Sequence, residues 1–158
     1  MNDILEKKLN SLDVKRHIKK NKTLANYQPY KIINNLIFIS GQLPLDNSGM
    51  LHTGKVSKDF SKNKIQTAVE IATSNLLWNL CDSIKNVKLE ISVIYCCNIK
   101  GYFNSVESFE EHSKLLDFAS NLIVKVLGKS GEHSRVAVGV SSFPKNSFAE
   151  IEGIFSIS

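Results

Sequence analysis

The chain reads as a single α+β domain of order β-β-α-β-α-β-β, with its helices on one face of a mixed sheet and a short helix in front. Three observations predict this class. Two long apolar stripes of helical period lie over residues 61–85 and 107–127. Runs rich in β-branched and aromatic residues precede, separate and follow them. Strands interleaved with helices in that way pack as a sheet covered on one side. At 158 residues and 42% hydrophobic, the chain is long enough for one real core.

The elements follow in order. Residues 3–12 form the front helix, with Leu5, Leu9 and Leu12 on one face. Residues 13–26 are a polar, basic connector. We therefore divide the chain into an N-terminal helix and connector, 1–24, and one domain, 25–158. Residues 31–33 and 36–40 flank Asn34-Asn35, which reads as a hairpin because asparagine tolerates the left-handed backbone a tight turn needs. Pro44, Asn47, Gly49 and Gly54 mark a loop.

In the first long helix Ile65, Ala68, Val69, Ala72, Leu76, Leu80 and Ile84 form the stripe. Residues 88–97 read as a strand, from the alternation of Leu89, Ile91, Val93 and Tyr95. The second long helix stops at Gly128. Val136, Val138 and Val140 then alternate with Ala137 and Gly139, and a last strand carries Glu150 and Glu152 on one face. With Pro144-Lys145 between them, residues 135–142 and 148–157 read as a hairpin. No element covers the second face of the sheet, which predicts self-association.

Charge narrows the function. The net charge is +5, but residues 1–22 hold seven cations against three anions, so four of the five charges sit there. The rest of the chain is near neutral, which argues against a nucleic-acid footprint on the domain. No apolar run has the length of a membrane span, and the N-terminus has no signal-type apolar region. Cys81, Cys96 and Cys97 show no disulfide framework, which fits reduced thiols in the cytoplasm. Four scattered histidines and these cysteines lack paired-ligand spacing, so no metal is expected. Gly128-Lys129-Ser130 resembles the end of a phosphate loop, but Ile123 stands where that loop needs its first glycine.

Two residue types carry the chemistry. Arg135 opens the first of the last two strands, and the guanidinium fork suits a carboxylate. Glu150 opens the second, and a carboxyl there is able to position water and move a proton. On a hairpin the two would lie too far apart along the ladder to meet, so Arg135 is expected to meet Glu150 of a neighbouring subunit.

An ordered series of segments carries a family resemblance. These are Asn26-Tyr27-Gln28-Pro29-Tyr30, Ile37-Phe38-Ile39-Ser40-Gly41-Gln42-Leu43-Pro44, Gly54-Lys55-Val56, His133-Ser134-Arg135-Val136-Ala137-Val138, and Phe143-Pro144-Lys145 leading to Glu150-Ile151-Glu152. Over residues 25–158 the chain resembles the RidA/YjgF family of reactive-intermediate deaminases, also catalogued as the L-PSP endoribonuclease family. The resemblance implies a chorismate-mutase-like, ferredoxin-like fold and a homotrimer with pockets between subunits. It also implies cofactor-independent hydrolysis of enamines or imines to 2-keto acids and ammonia. By motif, Arg135 corresponds to the carboxylate-binding arginine and Glu150 to the glutamate that assists water. Tyr30, Ser40 and Gly41 correspond to residues that line the pocket. Ala137 stands where many members have cysteine, and the N-terminal extension marks a divergent subgroup. Other readings are an RNA-directed protein, an endoribonuclease or translation inhibitor using the basic extension, and a non-catalytic metabolite-binding protein.

Overall fold

The computed structural model describes residues 3–18, 26–49, 51–85, 87 and 90–158. In chain order the elements are α1 (Ile4–Ser11), β1 (Tyr30–Ile33), β2 (Leu36–Gln42), α2 (Lys62–Lys85), β3 (Ile94–Asn104), α3 (His112–Leu127), β4 (Ser134–Val140) and β5 (Ala149–Ile157). The sheet order is β1-β2-β5-β3-β4, antiparallel except for the parallel pair β3–β4. This is the α+β order the sequence predicts.

The hairpin turns at Asn34-Asn35, with Asn34 at φ +54°. In α2 the burial extends beyond one stripe: Ala72, Leu76 and Leu80 are buried, and so are Thr73, Asn75 and Asp82. One side meets the sheet. Part of the rest is covered by α3 and by the chain before β1, where Leu5, Leu9 and Val14 are buried. The Trp78 indole donates to the Val14 carbonyl at 2.9 Å, and Arg16 pairs with Asp82 while stacking on the Trp78 ring. So residues 14–18 are bound to α2, although part of the expected connector, residues 19–25, lies outside the described residues.

Two expectations need correction. The strand placed at 88–97 is β3 at 94–104. Residues 88 and 89 lie outside the described residues. Ser92 and Val93 instead donate their N–H groups to the Ser158 carbonyl, at 2.7 and 3.1 Å. β3 runs on through Gly101 because α3 packs tightly there: a Cβ at Gly101 would lie 2.6 Å from Leu116 Cδ1.

The last two strands do not form a hairpin. β3 lies between them, parallel to β4 and antiparallel to β5. The connection straddles the end of β3: Ser105 N–H donates to the Val140 carbonyl and Asn104 N–H to the Phe148 carbonyl. A turn at Pro144–Asn146, with Lys145 and Asn146 both at φ +54°, reverses the chain. The helices pack on the face holding Ile37, Ile99, Ile151 and Phe155, all fully buried. The other face presents Phe38, Tyr95, Val136 and Val138, all exposed.

Candidate active site

The candidate site is built on an irregularity in β2. Ile39 pairs with Gly153 and Gln42 with Ile151, so three steps on β2 answer two on β5. The extra residue makes a bulge at Ser40-Gly41. It is braced from both sides. Ser40 Oγ donates to the Gln28 carbonyl at 2.7 Å, and Ser40 N–H donates to the Pro29 carbonyl. Gln42 Nε2 donates to the Ser40 carbonyl at 2.8 Å, and Asn79 of α2 donates to Gln42 Oε1 at 3.0 Å.

Glu150 lies against this bulge. A Cβ built on Gly41 would fall 1.6 Å from Glu150 Oε1, so the missing side chain at 41 is the space the carboxyl occupies. Burial pushes the Glu150 carboxyl above the usual carboxylate range, and the charge of Glu152 on the same face adds to the shift. A carboxyl shifted this way is suited to giving and taking a proton.

Beside the bulge, a groove of about 240 Å³ runs over the open face. Tyr30, Phe38, Ser40, Asn98, Lys100 and Glu152 line it. Lys100 Nζ donates to Glu152 Oε1 at 2.7 Å, and the Tyr102 hydroxyl sits 3.4 Å from the same oxygen. In register, Lys100 stands across from Glu152 and Tyr102 across from Glu150. Burial, then the Glu152 charge, raises the Tyr102 phenol above its ordinary value.

Tyr30, Ser40, Gly41 and Glu150 thus gather around one bulge. Arg135 does not join them. It pairs in register with the buried Ile99, so its side chain leaves the sheet on the helical side. There Nη1 donates to Ser120 Oγ at 2.9 Å and Nη2 donates to Ser113 Oγ at 3.1 Å, while Asp117 Oδ1 forms an ion pair with Nη2 at 2.7 Å. Within one subunit Arg135 and Glu150 occupy opposite faces of the sheet, and this, rather than distance along a hairpin, keeps them apart.

Comparison with known proteins gives the family. The family model described as "YjgF/chorismate_mutase-like, putative endoribonuclease" matches residues 14–155. The chain belongs to this YjgF family. The protein Atu1372 of Agrobacterium tumefaciens, whose function is unknown, is 34% identical, with 99% of this chain and 95% of that one covered and a TM-score of 0.80. A structure named as a putative endoribonuclease from Shewanella oneidensis is 28% identical, covers 98% and 99% of the two chains, and has a TM-score of 0.81. The Trypanosoma cruzi protein TCP17 is 26% identical over 135 residues, which are 85% of this chain and 82% of that protein.

In this YjgF-family chain, sequence reasoning missed Asn98, Lys100 and Tyr102. The alternation Asn98-x-Lys100-x-Tyr102 would have found them had the strand been placed at β3. It also missed Ser113, Asp117 and Ser120, whose spacing puts them on one side of α3.

Proposed function

We propose that this protein is a cofactor-independent deaminase that hydrolyses enamines or imines of small carboxylates to 2-keto acids and ammonia. The observation that carries the reading is Glu150, a carboxyl of raised proton affinity packed on the Gly41 bulge. Water adds to the imine carbon while a proton passes to the nitrogen. The resulting carbinolamine then collapses to the keto acid and releases ammonia. Glu150 positions that water and passes the proton to the departing amine. Tyr30 and Ser40 border the substrate, and Gly41 leaves room for the Glu150 carboxyl beside it. Arg135 holds the substrate carboxylate, and it does so from a neighbouring copy because its own Glu150 is on the other face. This reading requires a homotrimer with pockets between subunits. The exposed Phe38, Val136 and Val138 on the uncovered face support such an assembly. The unpaired thiols of Cys81, Cys96 and Cys97 are compatible with a cytoplasmic setting.

The test is imine hydrolysis, with iminopyruvate and bulkier imino acids generated in situ by amino-acid oxidases. Faster loss of imine with the wild type but not with Arg135→Ala is the expected result. Equal turnover by the two proteins removes Arg135 from the mechanism. No acceleration of any imine by the folded protein overturns the deaminase reading. RNA cleavage, the activity named for the Shewanella relative, then becomes the leading alternative. On that alternative, replacing the exposed Lys7, Lys8 and Lys15 by glutamine, which leaves the buried Leu5, Leu9 and Val14 in place, weakens RNA binding.

A further inference from the structure

Arg135 already has an anion on its fork. Ser113, Asp117 and Ser120 project from one side of α3: the two serines each accept one guanidinium N–H, and Asp117 pairs with the charge. Nη2 donates to Ser113, and Asp117 Oδ1 sits 2.7 Å from the same nitrogen. A carboxylate binds arginine at two points either along the Nε/Nη2 edge or along the Nη1/Nη2 edge, and Nη2 belongs to both. With Asp117 Oδ1 already 2.7 Å from that nitrogen, Asp117 stands where one oxygen of a bidentate carboxylate would sit. The two serines are neutral and the aspartate is charged, so Asp117 is the group a carboxylate imitates. It is also the more accessible partner, 53% exposed against 29% for Arg135, and so is free to swing into water.

We propose that Asp117 is a latch: it occupies the anion position of Arg135 in the empty site, and the substrate carboxylate displaces it. The inference rests on the Arg135 role given under Proposed function. Ser113 and Ser120 keep the guanidinium in place during the exchange. Asp117 thus sets the affinity for small carboxylates without touching the reacting atoms. It also favours ligands whose charge competes with an intramolecular carboxylate over neutral analogues.

The experiment is calorimetric titration of pyruvate, an unreactive 2-keto acid, into the wild type, Asp117→Asn and Arg135→Ala at low and high salt. An exposed ion pair of this kind corresponds to roughly a two- to fivefold change in affinity. Asp117→Asn is therefore expected to bind pyruvate about two- to fivefold more tightly than the wild type, with the difference shrinking as salt screens the pair. Tight binding by Asp117→Asn alone also supports the latch. Unchanged or weaker binding by Asp117→Asn, with binding lost in Arg135→Ala, overturns the latch and leaves Arg135 as the carboxylate site. Binding by Arg135→Ala equal to that of the wild type overturns both, as does absence of binding to the wild type and Asp117→Asn alike.

Discussion

Gly41 and Glu150 share one small volume, which makes position 41 more sensitive than a strand residue usually is. Gly41→Ala drives its methyl into the Glu150 carboxyl. We expect imine turnover to fall at least about tenfold, since small misplacements of a catalytic group are costly. The pH dependence has a definite sign. The folded state holds the Glu150 proton more tightly than the unfolded chain does, so Glu150 contributes stability below the ordinary carboxylate range. That contribution is lost as pH rises through the raised value. Glu150→Gln should therefore raise the melting temperature relative to the wild type at neutral pH, with a smaller difference at pH 4. Glu152→Gln removes one of the two causes of the shift, so the acid limb of the wild-type rate profile should move to lower pH. The motif around Ser40-Gly41 and Glu150 was legible in the chain. The choice between Glu150 and Glu152 was not, because alternation places both on one face. What separates them is the extra residue in a partner strand, which sets one against Gly41 and the other in the groove.

At the level of elements, the apolar stripes located α2 and α3 within a few residues of their observed starts. The reach of β3 was hidden because Gly101 and Lys100 look like strand breakers in isolation. They are accommodated by Leu116 packing on one face and Glu152 pairing on the other. The front helix carries Leu5 and Leu9 on the face that meets the body, and both are buried there. Leu9 has no exposed surface. Leu9→Ala should cost about 2–5 kcal/mol, the usual range for a buried leucine truncated to alanine, and denaturant unfolding would measure it. Two thiols report on the same packing. Burial pushes Cys81 up to about 11 and Cys96 up to about 12, so neither is a thiolate near neutral pH. Iodoacetamide should spare both in the folded protein and label them when denaturant opens it.

For the whole molecule, one topological fact decides where the site residues go. A hairpin of β4 and β5 is the simplest reading of two adjacent strands joined by a proline turn. A sequence contains no local signal that an earlier strand will lie between them. The insertion of β3 turns Arg135 toward α3 and Glu150 toward the open face, so on the proposed mechanism the two meet only between copies. Val138 is 39% exposed on that face, next to Val136 at 44%. Val138→Asp should prevent association, giving single chains by sedimentation and losing imine turnover while circular dichroism stays that of the folded protein.

The strand at the middle of the sheet, β5, is the last strand in chain order. During synthesis the β1–β2 ribbon and the β3-α3-β4 unit are both complete before the segment that joins them has emerged. Each must wait with one long edge unpaired, and such edges attract other chains. Closing the sheet requires β5 to enter between β2 and β3 through contacts of long sequence separation, for which a slow refolding phase is the expected outcome in stopped-flow experiments.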